Sequence, residues 1–492
     1  MSEIYRSCDR KLNAWGMEHK KYLKLAAQLL VFLSPVLFAS KSLDNDVWFL
    51  LNSGRYISEN GFTRVEPFSI YKDLKFSFQQ WLTDILFYRI YMQWGRTGLL
   101  ILVMILASMM LVMFYRLCLL VSGHNTGQSL LATLLLSVTA SPFMITRPHI
   151  LSAFFLTCIL LIMECYVKTG NKKLLWLLLL CSVLEINFHA STWWIQFLFM
   201  LPYLVETDLH KEYLEIDVYD KKPVWLTVAG MLICGSLNPY GITNMLYLFR
   251  SIGSSYTARI GEMKPTTYDS IGMMVIVGVS VVIFLHFVKH TDKIKLRYAL
   301  LYAGTMLMAL VNIRSWILFF IVAFMSCAYV FRKADITCFS IQYWLLYLEL
   351  VVGACLIAGH VSPNQDQIKL EEQNGEIALW LTEHTDPSKD ILYTEYDTGG
   401  FYEYKGFRCS LDARMEVFRK SMNGQGNYFD EWVEADSGYV YYKDYLDKYH
   451  FNYLVLEKGR SIYTNVAHDP DYECLYDTEE YALYGRKNED EQ

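Results

Sequence analysis

Apolar runs constrain this chain more than any motif in it. Between residues 22 and 361 the sequence returns repeatedly to stretches of about 15–24 residues with few charges, each long enough to cross a bilayer core as a helix. Spans are predicted near 22–40, 98–121, 128–146, 149–167, 173–187, 190–206, 223–237, 271–289, 297–311, 315–331 and 340–361, eleven in all. The segment WLTDILFYRIYMQWG (81–95) is too short and too polar for this set and is predicted to lie on the membrane surface as an amphipathic helix. No clean small-residue cleavage site follows the first run, so it is expected to stay as a membrane helix.

After residue 361 the runs stop and the charge reverses. Residues 1–361 hold 31 Lys and Arg against 22 Asp and Glu, whereas residues 362–492 hold 13 against 28, so that +9 and −15 give the chain its net −6. The expectation is a mainly α polytopic membrane domain, 1–361, with a long external loop at 41–97, followed by a soluble acidic α/β domain, 362–492. In that domain ILYTEY (391–396), CSLDA (409–413) and YLVLEK (453–458) read as strands, while GEIALWLTEH (375–384) and YYKDYLDKYH (441–450) have helical spacing. Gly399-Gly400 is predicted to make a tight turn between strands. Nine of the 11 cysteines precede residue 362 and none forms a CxxC pair, which argues against a zinc or redox site. Pairing of Cys409 with Cys474 stays open.

Arg6, Arg10, Lys11, Lys20, Lys21 and Lys24 place the N-terminus in the cytoplasm, and the basic loops 168–173, 289–297 and 331–333 fall on the same side. An odd number of spans then puts the acidic domain outside. This topology carries six polar clusters to the outer face: Asp44/Asp46, Arg147-Pro148-His149, Asn187-Phe188-His189, Asn238-Pro239-Tyr240-Gly241, Glu262 and Asn312-Ile313-Arg314. One such cluster is ordinarily a membrane-boundary anchor. Six together, with ionisable groups among them, point to a polar cavity open to the outside and covered by the loop 41–80. The stretch VWFLLNSGR (47–55) is expected to be a short interfacial helix over that cavity. Nothing in the chain points to nucleic acid.

The stretch DNDVWFLLNSGRYISENGFTRVEPFSIYKDLKFSFQQWLTDILFYRIYMQWG (44–95) resembles the first external loop of GT-C-type membrane glycosyltransferases, in particular the bacterial branches similar to the dolichyl-phosphate-mannose–protein mannosyltransferases. The matching residues are Asp44, Asp46, Trp48, Gly54, Pro67, Phe68, Ser69, Trp81 and Leu82. RPHI, NFHA, LNPYG, GEMKP and YDTGGFYEYKGFRCSLDARMEVF (396–418) resemble the same branch, in the same order. Two positions depart from it: Glu66 stands where Asp is more usual, and Gln79 and Gln80 stand where Glu or His commonly precedes the tryptophan.

The resemblance implies transfer of a sugar from a polyprenyl-phosphate donor to a hydroxyl of a glycan, lipid or protein acceptor, at the outer face of a bacterial plasma membrane. An attacking hydroxyl must lose a proton, and a carboxylate within hydrogen-bond reach can take it. Asp44, and secondarily Asp46, are the candidates for that base or for ligands of a divalent metal. A departing phosphate needs fixed cations, for which Arg147, His149, His189 and Arg314 are the candidates. Glu262 is a second acid. Asp412 and Arg414 of LDARMEVF are either a site or a buried ion pair. Two other readings share these features: a transporter or flippase of lipid-linked sugar, and a catalytically inactive member acting through its soluble domain.

Overall fold

A computed structural model describes residues 18–206, 214–251, 261–290, 293–333 and 364–487. The predicted last span, 340–361, lies outside the described residues, as does much of the loop 207–222. Each other predicted span contains a helix. Among the described residues four helical stretches, Lys21–Phe38, Trp81–Val121, His149–Thr169 and Ile313–Val330, are long and apolar enough to cross a membrane, and five further apolar helices are shorter, at 10–17 residues. The chain is a multi-pass membrane protein.

The helix Trp81–Val121 runs for 41 residues. At about 1.5 Å per residue it is roughly 60 Å long, about twice the thickness of a bilayer core, so only part of it can cross. Gly95, at φ 59° and ψ −152°, interrupts it between the 81–95 segment and the apolar 98–121 segment. That backbone conformation is open to glycine and strained for other residues.

The chain forms two compact units that are not contiguous in sequence. The first comprises Met1–Ser40, Ile101–Asn238 and Gly253–Ser362. Its centre is the helix Trp316–Val330, apolar on every side and buried over nearly its whole length, as expected of a helix with no polar face. It packs against Leu296–Val311, Thr126–Thr139, Ile271–His290 and His149–Thr169. The outer helices leave large apolar side chains exposed, such as Trp176, Leu177 and Leu180 on Leu175–Phe188 and Phe284 and Leu285 on Ile271–His290. Apolar faces of this kind suit lipid and not water.

One end of this unit holds a buried ionic cluster. The Arg297 guanidinium bonds both oxygens of Glu164 (2.8 and 2.9 Å) and pairs with Glu206 (3.2 Å) and Asp217 (2.7 Å). Tyr203 and Tyr298 donate to the same Glu164 carboxylate (2.9 and 2.7 Å).

The second unit comprises Lys41–Leu100, Pro239–Ile252 and Pro363–Gln492. It contains a five-stranded sheet of β1 (Ile391–Tyr393), β2 (Arg408–Cys409), β3 (Tyr453–Glu457), β4 (Tyr472–Asp477) and β5 (Tyr481–Arg486), in the order β2-β1-β3-β5-β4. β1 is parallel to both neighbours, and β5 is antiparallel to both of its own. The loop segment after Pro67 extends the free edge of β2, with Ser69 bridging Cys409 in parallel and the Ile70 N–H bonding the Cys409 carbonyl (3.0 Å).

One expectation needs correction in this unit. Gly399 and Gly400 do not turn between strands; they open the helix Gly399–Tyr404. A Cβ on Gly399 would lie 1.7 Å from the Leu411 carbonyl oxygen, so the glycine is there for close backbone approach. The stretch 47–55 is helical, as expected, within the helix Val47–Asn60. It packs on Gly399–Tyr404, burying Val47, Trp48, Leu50, Leu51 and Ile57, and Trp48 meets the ring of Phe401 edge-on at 5.0 Å. Cys409 and Cys474 are both free thiols, the first buried and the second exposed. They sit on β2 and β4, the opposite edges of the sheet, well beyond the roughly 7 Å that a disulfide spans from backbone to backbone.

Candidate functional site

In the first unit the predicted basic residues come to one place, each set by a helix end. Pro148 precedes the helix His149–Thr169, where its fixed φ favours a helical start, and so places Arg147 and His149 at that N-terminus. His189 ends the helix Leu175–Phe188, its N–H bonded to the Glu185 carbonyl (2.7 Å). Arg314 lies in the turn Ile313–Ser315, capped by Asn312, whose side chain accepts from the Arg314 N–H (2.8 Å). The His149 and His189 rings meet edge to face, 5.1 Å between centroids. The charge of Arg314 acts on both rings, and that of Arg147 on His149.

Behind these rings runs a chain of buried hydroxyls. The Ser152 Oγ lies 2.8 Å from His189 Nδ1 and 2.8 Å from Thr192 Oγ1, and Thr192 donates to Glu185 Oε1 (2.7 Å). The Thr192 hydroxyl also reaches the His189 carbonyl (3.0 Å), so the direction of the Ser152–Thr192 bond follows the His189 tautomer. Ser152 engages Nδ1, which leaves Nε2 as the His189 ring atom that a ligand can meet. The cluster is not saturated: His149 Nε2 and Glu185 Oε2 are buried with no hydrogen-bond partner. A buried polar atom in this condition costs about 1–3 kcal/mol unless something satisfies it. Together the helix N-terminus, two guanidinium groups and two imidazoles make a setting for an anion.

Asp44 and Asp46 belong to the second unit and are half-buried. The Asp44 carboxylate accepts the Asp46 N–H (3.0 Å), and its carbonyl accepts from Val47 (3.0 Å), a turn that leads into the helix Val47–Asn60. Asp46 is that helix's N-cap without a side-chain capping bond. Among the described residues no group of three or more His, Cys, Asp or Glu is arranged to hold a metal ion. Two carboxylates are fewer than the all-protein ligand sets of zinc or calcium, but match a Mg²⁺ that takes its other ligands from substrate phosphate and water.

Asp412 and Arg414 form a buried ion pair. The guanidinium lies against both Asp412 oxygens and also bonds Glu66 (2.9 Å), between the rings of Phe68 and Phe76. Glu66 in turn accepts from the Phe68 and Ser69 N–H groups (3.0 and 2.8 Å) and the Ser69 hydroxyl (2.6 Å). The Glu66 side chain thus ties the PFS turn to LDAR. Glu403 completes this cluster at 3.7 Å from Arg414. Burial, followed by the charge of Asp412, holds its carboxyl well above the usual carboxylate range. Of the remaining candidate, Glu262, the backbone lies in the turn Gly261–Met263 and the side chain is outside the described residues.

Sequence reasoning missed Ser152, Glu185 and Thr192. The available signal was spacing: Ser152 three residues after His149 on one helix, and Glu185 four before His189 on another.

No protein-family model matches this sequence, and no curated protein does either. Solved structures do match. The archaeal oligosaccharyltransferase AglB from Archaeoglobus fulgidus, in complex with an inhibitory peptide and a dolichol-phosphate, aligns at TM-score 0.63 and 12% identity over 89% of this chain and 70% of its own. AglB has also been solved in complex with Zn and sulfate. ArnT from Cupriavidus metallidurans bound to undecaprenyl phosphate aligns at TM-score 0.55 and 12% identity over 94% of this chain and 97% of its own. The arabinofuranosyltransferase AftD from Mycobacteria aligns at 0.52 and 12% over 94% of this chain and 41% of its own. The chain has the fold of the GT-C polytopic membrane glycosyltransferases.

Proposed function

We propose that this protein is a membrane glycosyltransferase that moves a sugar from a polyprenyl-phosphate donor to an acceptor hydroxyl at the outer face of the plasma membrane. The observation that carries the reading is the gathering of Arg147, His149, His189 and Arg314 at one place, with His149 Nε2 buried and unpaired, in a fold whose solved neighbours hold dolichol-phosphate and undecaprenyl phosphate. In this reading the four residues hold the donor phosphate. Asp44 takes the proton of the acceptor hydroxyl as its oxygen bonds to the anomeric carbon. The bond from that carbon to the phosphate oxygen breaks, and the polyprenyl phosphate leaves with its charge held by Arg147 and Arg314. Asp46 supports the turn that orients Asp44, and Glu262 is the reserve acid. A divalent metal at Asp44 and Asp46 would draw its remaining ligands from phosphate and water. The N-terminus is cytoplasmic and residues 362–492 are external, where they meet a glycan, lipid or protein acceptor.

The test is transfer from a labelled polyprenyl-phosphate sugar by the purified protein in liposomes. The reading expects transfer by the wild type and a loss of roughly 100-fold or more for Asp44→Asn. Equal turnover of the two removes Asp44 from the reaction. Movement of the lipid-linked sugar across the bilayer without any bond cleavage would make the protein a carrier instead.

A further inference from the structure

The second unit holds a cleft of about 330 Å³ where its three sequence segments meet. Arg64, Lys75 and Ser77 come from the external loop, Thr243, Tyr247 and Arg250 from the short central segment, and residues 417 and 422 from the C-terminal part. Local structure fixes this lining. Residues 64–66 and 74–76 pair as a short antiparallel ladder, with Phe76 N–H bonded to the Arg64 carbonyl (2.9 Å) and Glu66 N–H to the Leu74 carbonyl (3.0 Å). The Lys75 N–H bonds the Asn423 carbonyl (3.2 Å), and Arg250 Nη2 bonds the Met422 carbonyl (2.9 Å). The Asn244 side chain reaches back to the Phe78 carbonyl (3.1 Å).

The charge of the cleft is out of keeping with its surroundings. Residues 362–492 carry 28 acids against 13 bases, and several cations of this unit are matched: Arg96, Arg414, Lys443, Lys448 and Arg460 each pair with a carboxylate. Arg64, Lys75 and Arg250 line one cavity, and among the described residues no carboxylate lines it with them. Glu416 accepts the Tyr247 hydroxyl (2.8 Å) from outside the lining set. Three like charges brought together repel unless an anion lies between them. The volume is at the lower end of the range for small-molecule sites, roughly 300–1,000 Å³, and the three hydroxyls beside the cations suit the hydroxyls of a sugar.

We propose that this cleft binds an anionic sugar, a glycan unit bearing a phosphate or a carboxylate, as a subsite for the acceptor. As an acceptor subsite it rests on the transferase reading, but binding is measured without donor, so the two fail separately. A concave, hydroxyl-lined cavity favours a sugar over a lipid headgroup at a flat surface. The experiment is calorimetry on the full-length protein in nanodiscs of neutral lipid, titrated with glucose 1-phosphate, glucuronate and glucose, and separately with phosphatidylglycerol vesicles. The expected result is binding of at least one anionic sugar, at least tenfold tighter than glucose. Lys75→Gln should weaken it at least tenfold, and Arg250→Gln likewise. Lys75 is exposed and its ammonium makes no hydrogen bond among the described residues, so its replacement leaves the fold intact. Failure of both anionic sugars to bind, binding unchanged in both variants, glucose binding equally well, or binding of the anionic vesicles alone would each overturn the proposal.

Discussion

The first unit contains two buried polar clusters, and they differ in completeness. Around Arg297 every oxygen of Glu164 has two donors, and Glu206 and Asp217 occupy the rest of the guanidinium. Around His149 and His189 the hydrogen bonds run inward to Glu185 and stop, leaving His149 Nε2 and Glu185 Oε2 without partners. Both clusters place charge among apolar helices, which is expensive unless each group is answered. The first is answered by the protein itself and reads as a clamp between helices. The second is left incomplete among the described residues. Satisfaction, more than burial or charge, separates the two clusters.

The largest effect expected from breaking this comparison is at the closed cluster. Glu164→Ala leaves Arg297 buried without its main partner and should destabilise the protein by about 3–5 kcal/mol, read as a fall in thermal midpoint in detergent, with transfer lost only because the fold is lost. A mutation in the open cluster should do the reverse. Ser152→Ala, which cuts the chain from His189 to Glu185, should cost only about 1 kcal/mol of stability and lower transfer several-fold through the orientation of His189. A larger stability loss than Glu164→Ala would reverse the assignment of the two clusters.

The second unit offers a third cluster, with a pH signature. Glu403 has a folded pKa raised by burial and then by Asp412, above an unfolded value of about 4.3. Its contribution to stability is therefore complete below that unfolded value and is lost as pH rises through the folded one. Glu403→Gln should flatten this dependence, so that the variant loses less thermal stability than the wild type between mildly acidic and alkaline pH. Parallel curves for the two proteins would show that Glu403 is ionised in the fold.

These clusters also show what a sequence can carry. The helices were legible because apolar runs of membrane length have few alternatives. Arg147, His189 and Arg314 were legible because polar residues at the ends of such runs stand out. Ser152 was not read, since its spacing from His149 is a weak signal until a histidine from another helix bonds it. Gly399 was misread for a similar reason: a glycine that makes a turn and one that admits a carbonyl look alike until Leu411 is in place. Glu66 stood out only as a departure from a pattern, and its purpose required Arg414, 348 residues away.

The central claim is that the open cluster is a phosphate site. Its most direct test is the affinity of the purified protein for a polyprenyl phosphate, wild type against Arg314→Ala, with thermal stability measured on both. A phosphate site predicts at least tenfold weaker binding, equivalent to about 1.4 kcal/mol, in a variant that still unfolds cooperatively. Equal affinity in the two proteins would contradict it.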